Sequence, residues 1–456
     1  MSLKAFFEPK NVAIIGASSD KGSVGFTIME NFVRLKFKGK FFPINPHRKE
    51  ILGEKCHKSV LEIKHEIDLA IICTPSKTVP MVLQECAQKK VKAVVIISAG
   101  FAEIGEKELT QSVQEIISAN PGMRVIGPNC LGVMYQKNNL DTLFLPISRL
   151  ERPKDGVVSF ISQSGALGSA ILDWASLRDY GINKFISYGN AMDVDEADLL
   201  EFLGHDSETK VILIYIEGVK HGRKFFEIAK RVCRKKPTIL LKGGMTEGGA
   251  KATQSHTGSL AGSIEVYKAL FKQTGIIHAD SLKNMFDYAK AFTTEPEIRG
   301  NKIQIITNGG GYGVLTTDAV IRTGLQLAEM EEKTSQTLKA KMPSHVVIHN
   351  PIDLTGDADN ERFRIAIEEC LKDKNIDAII LIILFQTPTL DRKIDKVIKE
   401  CLQNRKKPVM ILSIGGKFAM EHKQHLEQEG FSTFSSPQSA TNSLKALYDF
   451  YSRKEK

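Results

Sequence analysis

Short apolar, β-branched runs recur along the chain at 11–15, 41–44, 69–72, 94–97 and 124–126, and longer amphipathic segments separate them. This is the strand–helix–strand rhythm of a parallel sheet covered by helices on both faces. It predicts a first domain over residues 1–146. Past the polar connector Ser148–Asp155 the rhythm restarts at 156–161, 184–187, 211–216 and 237–242, predicting a second domain over 147–295. Thr293–Asn301, with Pro296 and Gly300, reads as another boundary, and runs at 302–307, 378–384 and 408–414 predict a third domain over 296–456. The expected fold class is α/β, with three Rossmann-like or flavodoxin-like parallel-sheet domains. The second and third share a plan in which a strand enters a Gly-rich turn and then a helix, at 157–168 and 303–314.

Composition narrows the function classes. With 456 residues, 42% hydrophobic and 25% charged, the chain has the make-up of a globular protein long enough for several cores. No apolar run approaches the roughly 20 residues needed to cross a bilayer. Residues 1–7 lead into Glu8 and Pro9, not a signal-peptide core, so a cytoplasmic location is expected. The seven cysteines are scattered without a CxxC pair, which argues for reduced thiols and against a zinc or other metal site. The net charge of +9 is spread out, and clusters such as Arg231–Lys236 and Arg405–Lys407 lead into a Pro and an apolar strand. Solvated helix ends of this kind do not make a nucleic-acid-binding face, but they suit phosphate-bearing ligands.

Three Gly-rich loops follow strands and open helices, where backbone N–H groups and the helix dipole receive anions. The first, Gly16-Ala17-Ser18-Ser19, runs on to Gly25 without forming GxGxxG. The next strand is followed by Arg48 and Lys49, where an NAD-binding unit would place an acid; the two cations suit an extra ribose phosphate, as in NADP or coenzyme A, or a plain solvated turn. Cys73-Thr74-Pro75 and Ser98-Ala99-Gly100 follow other strands of this sheet and would complete a cleft. Asn129, after the last strand, offers an amide to a carbonyl or phosphoryl oxygen, and Cys130 is a weaker candidate nucleophile with no basic neighbour in sequence. The second loop carries Gln163, Ser164 and Gly165; the third carries Asn308, Gly309, Gly310 and Gly311. Each reads as a phosphate cradle or as a tight turn against its sheet.

His256 lies in Ser255-His256-Thr257-Gly258-Ser259-Leu260-Ala261-Gly262, among small and hydroxylic neighbours. A neutral imidazole there could carry a group covalently, or merely hydrogen-bond a turn. Glu217, at a central strand end, is placed to support the far ring nitrogen or to cap a loop. A phosphoryl group on His256 would be doubly negative, and two helix N-termini aimed at it could hold it without a metal.

These motifs together resemble the nucleoside-diphosphate-forming acyl-CoA synthetases, specifically the alpha subunits of ADP-forming acetate–CoA ligases. Asn350-Pro351-Ile352-Asp353 adds to the likeness, which spans essentially the whole chain. The resemblance implies a coenzyme A-binding domain and two ligase domains like those of succinyl-CoA synthetase. It implies the reversible conversion of acyl-CoA, ADP and phosphate to carboxylic acid, CoA and ATP, through an acyl phosphate and phospho-His256. By the resemblance Gly16, Ala17, Ser18, Ser19, Ser98, Ala99 and Gly100 would bind CoA; the reading of the strand ends adds Thr74 and Pro75 to that cleft and Arg48 or Lys49 at its phosphates. Gln163, Ser164, Gly165 and 308–311 would cradle phosphate, Glu217 would support His256 and Asn129 would meet substrate. The family also needs an ATP-grasp module for ADP or ATP and Mg²⁺. This chain lacks its pattern, so a separate beta subunit in an α2β2 assembly is expected. A CoA-binding regulatory module and an NADP-dependent oxidoreductase are the competing readings; the retained His256, Glu217 and glycine loops weigh against the first, and the irregular first loop against the second.

Overall fold

The computed structural model describes residues 3–257, 263–390 and 392–454, without the side chains of 253–257. The chain divides into two compact units, Met1–Ala279 and Asp280–Lys456.

The first unit holds two large sheets. In spatial order the first runs Lys40–Ile44, Asn11–Ile15, Leu69–Ile72, Ala93–Ile96, Arg124–Ile126, all parallel. The second runs Ile277–Ala279, Thr238–Lys242, Val211–Ile216, Val158–Ser162, Ile182–Ser187, and is extended by Gly132–Tyr135 and Leu140–Asp141, both antiparallel. In each sheet the parallel strands take the order 2-1-3-4-5 by position in the chain, so the crossover direction reverses beside the first strand. Ligands of open α/β sheets bind in the crevice outside the strand carboxyl ends at that reversal.

Residues 132–141, expected with the first sheet, hydrogen-bond into the second, so the hairpin ties the two together. One buried cluster accordingly contains Ile14, Leu69 and Val95 of the first sheet and Ile161, Ile186 and Ile212 of the second. Phe7 stacks on Phe202 with ring centroids 5.1 Å apart. Arg124, at the start of the last strand of the first sheet, pairs with Asp193 at 2.9 Å and Asp198 at 3.0 Å beside the second.

The second unit contains Gln326–Leu327, Lys302–Thr307, Ala378–Ile382, Val409–Leu412 and Thr433–Phe434, again parallel and again in the order 2-1-3-4-5, with Ile352–Asp353 also paired to Lys302–Thr307. The helix Leu282–Thr294, expected with the second domain, packs in this unit. Its Phe292 meets Phe450 of the helix Pro437–Lys454 edge-on at 5.5 Å, and its buried Lys290 donates to Glu427 at 2.8 Å.

Candidate functional site

A cavity of about 1230 Å³ in the first unit joins the carboxyl edges of its two sheets. On the first sheet it is lined by Gly16, Ser18, Thr74, Pro75, Ser98 and Ala99, six of the residues read as a cleft from sequence. The strand Asn11–Ile15 ends at Gly16, whose φ of +93° favours glycine, and the chain returns to the helix Val24–Leu35, capped by Ser23. Helix and loop touch so closely that a Cβ on Gly25 would lie 2.0 Å from the Gly16 carbonyl oxygen. Thr74 Oγ1 is buried with no hydrogen-bond partner among the described residues, although its residue lines the cavity.

The second sheet contributes Gln163, Ser164, Gly165, Ala166 and Glu217. Ser164 caps the helix Gly165–Leu177 by accepting from Leu167 N at 3.3 Å, which directs the first N–H groups of that helix to the cavity edge. Gln163 Oε1 accepts from Glu217 N at 2.7 Å and Gly218 N at 3.2 Å, so its carbonyl end is a brace for the Glu217 turn. The Glu217 side chain, on a residue 8% exposed, accepts from Tyr215 Oη at 3.2 Å. Beneath it the buried Lys242 donates to Glu217 O at 2.8 Å and to Gly243 O; burial holds its ammonium below the usual lysine range, against the pull of Glu217.

Asn129 and Asn190 link the two edges. Asn129 Nδ2 donates to Asn190 Oδ1 at 3.3 Å, and Asn190 Nδ2 donates to Glu103 Oε2 at 2.6 Å. Glu103 also accepts from Gly100 N at 2.6 Å and Phe101 N at 3.2 Å. Burial works against its carboxylate, but these donors outweigh it and hold the carboxyl below its ordinary range. Cys130 lines the cavity, yet its thiol is buried, donates to Ile96 O at 3.3 Å, and is pushed up to about 12 by desolvation. A thiol so far from ionisation is no nucleophile near neutral pH.

Several expected residues stand elsewhere. Ala17 is buried, with its carbonyl accepting from Asn45 Nδ2 at 2.8 Å, and Ser19 is exposed; neither lines the cavity. Gly100 is also absent from the lining and serves the Glu103 turn. After Ile44 the chain turns through Asn45, which accepts from His47 N, into the hairpin Glu50–Ile51 and Glu54–Lys55. That turn leaves Arg48 and Lys49 outside the lining; Arg48 is exposed and 3.8 Å from Asp20 of the glycine loop. The helix Glu247–Thr257 includes His256, but the His256 side chain lies outside the described residues.

Asn308, Gly309, Gly310 and Gly311 belong to the second unit. Asn308 has both amide atoms engaged: Oδ1 accepts from Leu384 N at 2.8 Å, and Nδ2 donates to Leu384 O at 3.2 Å. It shapes the loop with that amide. The helix Gly310–Arg322 starts from Gly309 without a side-chain cap, which leaves its first N–H groups open. Asp353 Oδ2 lies 2.6 Å from where a Cβ on Gly310 would stand.

Other lining residues escaped the sequence reading. Asn190 follows Gly189 at φ +57° after the strand Ile182–Ser187, a strand-end Gly–Asn signal of the kind used for the other loops. Leu131, Phe144 and Leu145 carried no such signal, because an apolar residue lining a cavity and one filling a core look alike in sequence.

Comparison with known proteins agrees with this architecture. Residues 10–136 match the family described as CoA binding domain, residues 155–292 the succinyl-CoA ligase like flavodoxin domain, and residues 303–450 the Ligase-CoA domain. This combination defines the class, ligases that work on CoA thioesters. The alpha subunit of acetate–CoA ligase [ADP-forming] I of Pyrococcus furiosus is 44% identical, over 100% of this chain and 99% of that one. A single-chain acetate–CoA ligase [ADP-forming] of Methanocaldococcus jannaschii is 42% identical over 98% of this chain, which covers 63% of it. A solved structure of acetyl-coenzyme A synthetase 1 of Ca. Korarchaeum cryptofilum, in complex with phosphate and ADP, superposes with a TM-score of 0.94 at 36% identity, covering 100% of this chain and 98% of that one. The chain belongs to the family of ADP-forming acetate–CoA ligases and corresponds to their alpha subunit.

Proposed function

We propose that this chain is the catalytic alpha subunit of an ADP-forming acyl-CoA synthetase that interconverts acyl-CoA, ADP and phosphate with carboxylic acid, CoA and ATP. The observation that carries the reading is the continuous cavity reaching from the Gly16 and Thr74 edge to the Ser164 and Glu217 edge. A CoA thioester laid along it would present its carbonyl at the second edge. The first edge suits such a ligand: it has bare backbone at Gly16 and Gly25, and a buried Thr74 hydroxyl still without a partner among the described residues. Arg48, 3.8 Å from Asp20 within the glycine loop, or Lys49 beside it would meet an outlying phosphate.

In this reading inorganic phosphate attacks the thioester carbonyl, the C–S bond breaks, and CoA leaves as thiolate. The helix N-terminus at Ser164 and Gly165 holds the phosphoryl oxygens, and Asn129 donates to the acyl oxygen. A ring nitrogen of His256 then attacks phosphorus, expelling the carboxylate, and Glu217 supports the charged ring. The phosphoryl group passes from His256 to ADP with cleavage of the P–N bond. The Gly310 and Gly311 N–H groups form a second anion cradle; Gly309, whose N–H donates to Thr307 Oγ1 at 2.9 Å, and Asn308 brace it.

A partner subunit of ATP-grasp type supplies ADP or ATP and Mg²⁺, in an α2β2 assembly. The longer single-chain relative supports this, since a counterpart of this chain fills 63% of it and leaves room for such a module. We place the protein in the cytoplasm; no helix among the described residues is long and apolar enough to cross a membrane. The roles divide along the chain: the first sheet of the first unit serves CoA, its second sheet carries the His256 segment, and the unit 280–456 carries the second phosphate loop. The test is ATP formation from acetyl-CoA, ADP and phosphate by the chain with its nucleotide-binding partner. The parent complex forms ATP and His256→Asn does not; an active His256→Asn complex contradicts the reading.

A further inference from the structure

We infer that Leu131, Phe144 and Leu145 form the wall against which the acyl group lies, and that Phe144 sets the upper size of the acids accepted. The inference rests on the ligase reading above and assigns a subsite within the same cavity.

The position follows from strand register. The antiparallel pairs Met134↔Asp141 and Tyr135↔Leu140 continue through Thr142 N to Val133 O at 3.0 Å, which brings residue 144 alongside residue 131. Leu131 in turn faces the anion-binding turn: a Cβ on Gly165 would stand 3.5 Å from Leu131 Cβ. An acyl phosphate with its phosphoryl group on the Gly165 helix N-terminus would therefore lay its acyl carbons beside Leu131 and the neighbouring Phe144. Elsewhere that edge presents Gly165, Ala166, Gly189 and polar side chains, so among the described residues these three are its bulky apolar surface.

The wall is also fixed. Asn31, fully buried, donates to Leu143 O at 2.7 Å and reaches Leu145 O at 3.5 Å. Arg152 donates to the same Leu145 oxygen at 2.7 Å and is held by the buried Asp141 at 2.6 Å. Gly132 permits the approach, since a Cβ there would lie 2.4 Å from Thr142 Oγ1. A segment tied on both sides cannot withdraw for a bulky substituent, so compact aliphatic acids are accepted and aryl acids are excluded.

The experiment compares kcat/KM for acetate and phenylacetate in the complex with its nucleotide-binding partner, for the parent, Phe144→Ala, Phe144→Leu and Leu145→Ala. The parent is expected to favour acetate. Phe144→Ala should raise the phenylacetate-to-acetate ratio roughly 10- to 100-fold through the KM for the acid, with the KM for CoA unchanged. Phe144→Leu and Leu145→Ala should move the ratio in the same direction by less, and they decide the matter if Phe144→Ala does not fold. An active parent whose ratio moves in none of the folded variants, or that already prefers phenylacetate, overturns the assignment alone. A parent complex that makes no acyl-CoA from either acid overturns the ligase reading, and this assignment with it.

Discussion

Arg152→Met tests the buried pair that braces the acyl wall. The Arg152 and Asp141 side chains are 5% and 0% exposed and meet at 2.6 Å. Arg152 also donates to Leu150 O at 2.6 Å and Leu145 O at 2.7 Å, while among the described residues Asp141 otherwise accepts only from Leu143 N at 2.9 Å. Methionine keeps most of the stem volume and removes the charge, leaving a carboxylate buried with one donor. Removing one partner of a buried ion pair costs about 3–5 kcal/mol. Asp141→Asn/Arg152→Met removes the stranded charge, and its loss should shrink to about 1–2 kcal/mol, that of the neutral hydrogen bonds.

The pH dependence has a definite sign. Burial already pushes the Asp141 carboxyl above its usual range despite Arg152, and losing the cation pushes it further. The folded state then binds the proton more tightly than the unfolded state. Stability of Arg152→Met is therefore greatest below the unfolded value, about 3.9, and falls as pH rises to the raised folded value. The double variant lacks this slope. The assay is urea unfolding followed by fluorescence, because the single tryptophan, Trp174, is in the same unit. A loss in Arg152→Met under about 1 kcal/mol, or a double variant no more stable than the single, would refute the reasoning.

Three further outcomes are expected. Gly25→Ala forces a Cβ against the Gly16 carbonyl, backbone on backbone, so it should cost about 1–3 kcal/mol and weaken CoA binding in calorimetric titration; an unchanged CoA affinity would place the ligand elsewhere. The depressed Glu103 carboxyl contributes stability that is present above the unfolded glutamate value, about 4.3, and lost as pH falls through the folded one. Glu103→Gln should flatten that acid limb in pH-dependent melts, and an unaltered limb would show that Glu103 is not its source. Asn308→Ala leaves the half-buried Leu384 N–H without its acceptor and should destabilise the second unit by about 1 kcal/mol, read by hydrogen exchange at Leu384. A raised phosphate KM with exchange unchanged would instead make the Asn308 amide a direct phosphate ligand.

The sheets were legible because strands buried on both faces read as continuous apolar runs; Leu69–Ile72 and Ala378–Ile382 are buried throughout. Strand ends at Gly16, Ser164 and Glu217 were legible for the same reason, since the end of a run fixes the carboxyl edge where ligands bind. Tertiary pairing was less so. Gly132–Tyr135 has the same apolar pattern whichever sheet it joins, and only its antiparallel register with Ile182–Ser187 assigns it. Leu282–Thr294 precedes the Pro296 and Gly300 breakers that read as a boundary, whereas packing on Phe450 decides where it lies. At the site, polarity alone did not separate Gln163, which braces Glu217, from a ligand contact, nor Asn308 from one.

The central claim, that His256 carries the phosphoryl group, is tested most directly by mixing the chain with its nucleotide-binding partner, Mg²⁺ and γ-labelled ATP, quenching in base and mapping the label. The account predicts base-stable, acid-labile label on the peptide containing His256, discharged by ADP. A complex that makes acyl-CoA while that peptide stays unlabelled would contradict it.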